Sequence, residues 1–315
     1  MHHIQLTNAA FEGRNSVYLL GAGDAGAPTT LVDTGIATPA VEAELRDALG
    51  ARGVAFADVD RVLLTHWHHD HAGLAATVQA EGGADVLVHE ADAPLVRQDD
   101  DAVESMDRTQ AEYLDAWRMP AGKQDELTDF LERHDGLRGD PADVTELADG
   151  DTVELGPHEA EVVHLPGHAA GLAAYVVERD GRREGFVGDA VLPKYTPNVG
   201  GADVRVDRPL RQYLDSLDRV AGLDLDRAWP GHRGPVFAPT ERARDIAAHH
   251  DDRTDRVLAV VEDRGPVSAW EVSAALFGDL HTIHILHGPG EAYAHLDHLV
   301  HEGVLAETED GYVVA

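Results

Sequence analysis

Between Thr65 and Gly73 the chain reads Thr-His-Trp-His-His-Asp-His-Ala-Gly, directly after the β-type run Arg61–Thr65. Alternate residues of an extended segment point the same way, so His66 and His68 can grip one metal. Asp70 and His71 fall at the turn into the next helix and face a second position. Four ligand-type side chains in six residues point to two metals. A chain with such a segment has to fold so that further ligands reach it, and three later segments have the required form. His168 follows Pro166-Gly167, Asp189 follows Val187-Gly188 and His232 follows Pro230-Gly231, each after an apolar strand. Strand, sharp turn and ligand together aim side chains from several strand ends into one cleft. The 315 residues include no cysteine, which removes disulfides, thiol nucleophiles and sulfur-ligated metals, so imidazoles and carboxylates must hold any ion.

Around these segments the pattern is α/β. Strand signals at Ser16–Leu20, Thr29–Asp33, Arg61–Thr65 and Asp85–His89 alternate with helical ones, the first near Pro39–Arg52. From Gln98 to Gly150 the strand signal stops. Met106, Tyr113, Leu114 and Trp117 share one helical face there, and Leu127, Phe130 and Leu131 mark a second helix, so a helical insertion is predicted over 98–150. Strands resume at Thr152–Leu155, Glu161–Leu165, Ala173–Glu178, Glu184–Val187 and Asp226–Trp229, with a helix near Leu210–Val220. A catalytic unit over 1–240, a connecting helix over 241–252 and a small unit over 253–315 follow. The last of these reads helix, capped helix from Ser268 with Glu271, helix Glu291–Gly303 and a hairpin turning at Asp310-Gly311, a winged-helix order.

The ordered motifs resemble those of the metallo-β-lactamase-fold hydrolases: Asp33 in Leu31-Val32-Asp33-Thr34-Gly35, the His66/His68/Asp70/His71 cluster, His168, Asp189 and His232. The chain looks like a glyoxalase-II-type branch carrying a C-terminal winged helix. The resemblance implies an αββα sandwich with the helical insertion. It implies His66, His68 and His168 at one metal, Asp70, His71 and His232 at a second, and Asp189 bridging both. Zinc suits such ligands, and iron or manganese can occupy them. A bridging water made acidic by two ions would attack the substrate, with Asp70 orienting it and Asp33 fixing a ligand imidazole from behind. Two departures stand out: Arg233 replaces the glycine expected after the last histidine, and His69 adds an imidazole expected to point away from the metals. Arg233, Lys194, Tyr195 and Asn198 are the candidate substrate contacts.

Other signals carry less. Gly21-Ala22-Gly23-Asp24-Ala25-Gly26 is followed by a strand where a dinucleotide site needs a helix. His281, His284 and His287, like His295, His298 and His301, read as surface and packing histidines. No Gly-x-Ser-x-Gly elbow is present.

Charge narrows the function classes. Twenty-five basic residues, two of them lysines (Lys123 and Lys194), stand against 58 acidic ones, for a net charge of −33. This resembles proteins adapted to molar salt, where self-repulsion is screened over roughly 3 Å. It opposes binding to nucleic acid or anionic membranes. Thirteen acidic against three basic residues from Asp251 to Ala315, and a helix Glu291–Gly303 without Lys or Arg, argue against a DNA-reading regulator. The winged helix reads instead as a packing or homodimer element. No stretch approaches the roughly 20 apolar residues of a membrane span, and the N-terminus lacks a signal-like core, so a cytoplasmic location is expected. The expected activity is metal-dependent hydrolysis of a small thioester or ester, in the manner of a hydroxyacylglutathione hydrolase. A ribonuclease or phosphodiesterase of the same fold is the alternative. If the acidic coat is adapted to salt, the thermal midpoint should be clearly higher in molar KCl than at 0.01 M ionic strength, where the Debye length is about 30 Å. Equal midpoints in a calorimetric comparison would reject this reading.

Overall fold

The computed structural model describes residues 1–8 and 13–315. Its first sheet has the order β1 (His2–Leu6), β2 (Asn15–Leu20), β3 (Thr30–Val32), β4 (Arg61–Leu63), β5 (Asp85–His89) and β6 (Val144–Leu147). β1 to β3 pair antiparallel and β3 to β6 parallel. Helices α1 (Pro39–Gly50), α2 (His69–Ala72), α3 (Ala75–Gly82), α4 (Ala93–Val96), α5 (Asp100–Ala116) and α6 (Ala121–His134) fall between these strands. The second sheet has the spatial order β11-β10-β9-β8-β7. It comprises β7 (Thr152–Leu155), β8 (His158–His164), β9 (Ala173–Arg179), β10 (Arg182–Gly188) and β11 (Arg227–Pro230), with α7 (Pro209–Gly222) crossing from β10 to its parallel neighbour β11.

The two-residue period of the strands sorts their side chains between layers. Tyr18 and Leu20 of β2 meet Tyr175, Val177 and Phe186 between the sheets. Val17 and Leu19 face the other way, onto Val41, Leu45 and Leu49 of α1. In the second sheet Ala174 and Val176 point outward onto Leu210, Tyr213, Leu217 and Val220 of α7. Strands buried on both faces give four layers, helix, sheet, sheet, helix. Thr38 caps α1 by accepting from the Val41 N–H, and Pro39 starts the helix where its missing N–H costs nothing.

Beyond β11 the chain forms α8 (Pro239–Arg264), α9 (Ala269–Phe277), α10 (His284–His301) and the hairpin β12 (Leu305–Thr308) and β13 (Gly311–Val314). Residues 241–252 and the helix after them are one continuous helix, because Asp251-Asp252-Arg253-Thr254 contains no breaker. α10 begins seven residues before Glu291 and runs through Pro289. Burial of Ile285, Leu286, Gly288, Pro289 and Gly290 overrides the weak helix propensity of that stretch. The strandless reading of 98–150 is corrected at its end by β6, a short sheet-edge strand whose Thr145 and Glu146 face solvent. The insertion and the C-terminal helices share one apolar cluster, with Met106, Leu114, Trp117 and Leu127 packed in it together with Val257, Ile285 and Leu296. Among the described residues no helix is long and apolar enough to cross a membrane. Leu155 is fully buried between the sheets. Leu155→Ala should lower unfolding free energy by about 2–5 kcal/mol, read by urea denaturation with an unchanged slope; a loss under about 1 kcal/mol would mean the sheets do not pack there as described.

Candidate metal centre

All the ligand-bearing turns lie at one end of the sandwich. β4 leads into His66 and His68, β8 into His168, β10 into Asp189 and β11 into His232, and β8, β10 and β11 all run the same way. The sheets are stitched together there. The Tyr18 hydroxyl donates to Pro230 O, the Tyr175 hydroxyl to Leu64 O, and the Ala173 N–H to Thr65 O. Gly231 is demanded by proximity: a Cβ on it would lie 2.3 Å from Asp189 Oδ1 and 2.4 Å from His71 Cε1. Gly188, at φ +48°, brings its backbone against Thr65 in the left-handed region that glycine tolerates best.

His66 Nε2 and His68 Nδ1 stand 2.9 Å apart. His168 Nε2 is 3.7 Å from Asp189 Oδ2, and His71 Nε2 is 3.6 Å from Asp189 Oδ1. His232 Nε2 lies 3.3 Å from Asp189 Oδ2 and 3.4 Å from Asp70 Oδ2. The structure thus groups His66, His68 and His168, and also Asp70, His71 and His232, with a third group of His66, His71 and Asp189 joining the two and Asp189 reaching His71, His168 and His232. His71 Nε2, His168 Nε2 and Asp189 Oδ1 are buried without a hydrogen-bond partner. Separations of 3.6 and 3.7 Å are too long for hydrogen bonds. Two ligands about 2.0–2.1 Å from one zinc ion stand roughly 3.3 Å apart, so this donor set fits divalent cations.

The groups behind the cluster fix its orientation. Asp33, itself at φ +58°, accepts from the Thr65 N–H and hydroxyl and from His71 Nδ1 at 3.0 Å. That holds the His71 ring by Nδ1 and turns its Nε2 toward Asp70 and Asp189. The side-chain amides of Asn8 and Asn15 both donate to Asp70 Oδ2. Burial, then the neighbouring imidazoles, push His66 and His68 well below the usual imidazole range, leaving neutral rings with lone pairs to donate. Burial also opposes charge on His71, but Asp70, Asp189 and Asp33 outweigh it and raise its pKa to about 10. Burial disfavours the Asp189 carboxylate, yet His232 and His71 hold it below the usual carboxylate range. A site whose field favours positive charge this strongly also favours a bound cation.

The model of the metallo-beta-lactamase superfamily matches residues 10–232, a span that contains every residue of the cluster and ends on His232. The chain belongs to this superfamily. It is a metal-dependent hydrolase. It is 28% identical over 305 residues to the probable metallo-hydrolase YqjP of Bacillus subtilis (strain 168), covering 95% of this chain and 91% of that one. A metallo-beta-lactamase family protein of Thermus thermophilus, solved by crystallography, superposes with a TM-score of 0.78 at 30% identity over 100% of this chain and 98% of its own. A beta-lactamase domain protein from Burkholderia ambifaria gives 0.83 at 26%, over 99% and 92%. Both similarities run through α8 to β13, so the C-terminal elements belong to the fold these superfamily members share.

In this superfamily member a cavity of about 470 Å³ is lined by His68, Asp70, His168, Asp189 and His232. Its other walls are mainly apolar, from Val103 and Met106 of α5, Phe130 and Leu131 of α6, and Ile283 and Leu286 near the start of α10, with Asp107, Gln110, Glu132, His134 and Arg138 also in the lining. His69 lies in the cavity lining but in none of the ligand groups, and His287, read from spacing as a surface or packing residue, lines the cavity as well. Of the four candidate substrate contacts, none lines it. Lys194 and Arg233 both lie over the Tyr195 ring, 5.0 and 4.9 Å from its centroid, beside a separate polar hollow. Arg233 has φ +67°, the left-handed conformation that makes glycine the usual residue at such a position. Asn198 uses its side chain on backbone groups and Glu291 rather than on the cavity.

The sequence carried no signal for one supporting network. Asp92 and Asp203 are fully buried, and Arg205 Nη2 joins them at 2.7 and 2.6 Å. Asp92 accepts from the Trp67 and Gly171 N–H groups, and Asp203 from the Trp67 indole and the Ala170 N–H. The triad therefore pins the His66–His68 segment to the turn after His168. Arg205→Ala leaves two buried carboxylates uncompensated and should cost about 3–5 kcal/mol. The measurement is the urea midpoint at neutral pH; a cost below about 1 kcal/mol would show that the triad does not hold these segments.

Proposed function

We propose that the chain holds two divalent cations, zinc being the best match to the donors, and hydrolyses an ester or thioester whose acyl group is apolar. His66, His68 and His168 would hold one ion, Asp70, His71 and His232 the other, with Asp189 shared. Bound there, such ions acidify a water and polarise a carbonyl. Asp70 lines the cavity with its carboxylate held by two amides, and we assign it the role of orienting the attacking water and accepting its proton. Asp33 keeps His71 in one orientation.

The observation that carries the substrate reading is the mainly apolar cavity at the cluster. α5, which forms one wall, bears Asp100, Asp101, Glu104, Asp107, Glu112 and Asp115 against one cation, Arg108. RNA would meet repulsion there: Lys194 and Arg233 lie outside the cavity lining, and Arg138 within it is set against Asp107 and Glu132 of the same lining. A neutral acyl group meets Val103, Met106, Phe130, Leu131 and Leu286. The order α9, α10 and β12–β13 supports a winged-helix-like reading of residues 253–315, used as a cavity wall rather than for DNA, since Ile283, Leu286 and His287 line the cavity. The test compares kcat/KM for apolar acyl thioesters and esters with cleavage of single-stranded RNA. It is run for wild type and Asp70→Ala at equal metal loading, with and without chelator. Acyl hydrolysis should dominate, vanish with chelator and fall by about 10²-fold or more in the variant. RNA cleavage that exceeds it and is lost in Asp70→Ala would favour the phosphodiesterase reading.

A further inference from the structure

His168 donates from Nδ1 to Asn198 O at 2.8 Å. A carbonyl only accepts, so the proton sits on Nδ1 and the Nε2 lone pair faces the cluster. The position of that carbonyl depends on α10. The Asn198 side-chain amide donates to His287 O at 3.0 Å and to Glu291 Oε2 at 3.2 Å, and Glu291 Oε2 also accepts from the Val199 N–H. Glu291 is 5% exposed, and its other oxygen is paired with the guanidinium of Arg253 on α8. The backbones meet directly beside it: a Cβ on Gly290 would lie 2.2 Å from Gly201 Cα. A buried carboxylate is costly unless its hydrogen bonds and charge are satisfied. Here both oxygens are used, one on the loop after Asp189 and one on α8.

We propose that Glu291 is a positioning residue for the His66/His68/His168 half of the centre. Through Asn198 and Val199 it fixes the carbonyl that orients His168, and so ties cation affinity at that half to the C-terminal helices. The inference rests on the two-cation reading above. Among the described residues the other half is held from the first sheet's side, by Asp33 on His71 and by Asn8 and Asn15 on Asp70. Glu291 also faces His250 and His295, their ligand atoms all within 4.8 Å of one another. Arg253 occupies the same Glu291 oxygen that those imidazoles approach, which opposes a cation in that group.

The test titrates cobalt(II) into metal-free full-length wild type, Glu291→Ala, Glu291→Gln and Gly290→Ala, reading visible absorption and, separately, stoichiometry after dialysis against a competing chelator. Wild type should take up two ions. Glu291→Ala should keep one at wild-type affinity and bind the other about 10-fold more weakly, the lower end of what supporting partners of a ligand contribute. Glu291→Gln, whose amide oxygen still accepts from Val199 N–H, should recover part of that loss. Gly290→Ala, which pushes the loop without removing the carboxylate, should again weaken one ion only. Unchanged binding of both ions, or equal weakening of both, overturns the proposal, as does a third ion lost with Glu291, which would make it a ligand itself. A wild type that binds no ion rejects the two-cation reading and this inference with it, whereas two wild-type ions with an unaffected Glu291→Ala reject only the inference.

Discussion

Three carboxylates, Asp33, Asp70 and Asp189, are buried together with four imidazoles at one end of the sandwich, and the surrounding architecture answers that concentration of charge. Removing an ionised carboxylate from water costs several kcal/mol unless partners replace the lost hydration. Asp33 is satisfied by Thr65 and His71, Asp70 by two asparagine amides, and Asp189 lies against His71, His168 and His232. Those contacts require strands of both sheets to end at one level, because the chain has to turn sharply wherever a ligand is presented. Gly231 illustrates the tightness, since even a methyl group there would strike Asp189 and His71.

Around that cluster the molecule is built as successive supports. The Asp92–Arg205–Asp203 triad holds the segments on either side of the first three histidines, and the loop after Asp189 is held in turn by Glu291. The helical insertion and the C-terminal helices do a different job. Their shared apolar cluster closes over the centre and leaves a cavity lined at one side by the histidine and aspartate cluster and mainly by apolar side chains at the others. The histidine and aspartate cluster thus comes from the strand ends, while the remaining cavity walls come largely from α5, α6 and α10.

Much of the fold is legible because strand and helix periods are local. β7 coincides with its predicted range, and the Pro39 helix and the strand-turn-ligand segments fall where their patterns place them. β6 escapes because an edge strand with two solvent-facing polar residues lacks a clear alternation. The extension of α10 through Gly288-Pro289-Gly290 escapes because its helical form depends on burial, Gly288 against Ser273 and Leu280 and Gly290 against the Gly200-Gly201 loop. Asp92, Asp203 and Glu291 are single acids with no motif around them. Their significance comes from the loss of water around them, which no local window of sequence reports.

The sequence by itself determined the ligand types, their order and the strand ends that carry them, since His-x-His-x-Asp-His and three Gly-ligand turns are written in short contiguous runs. It also determined the charge that disfavours a polyanionic substrate. The tertiary structure alone decided which side chains meet. It set Lys194, Tyr195 and Arg233 against one another outside the cavity, turned His69 and His287 into it, and joined Asn198 to His168 across 30 residues and to Glu291 across 93. The physical reason is range: backbone preference and side-chain period act over a few residues, whereas burial, hydrogen-bond satisfaction and the shape of a cavity depend on segments brought together from the whole chain.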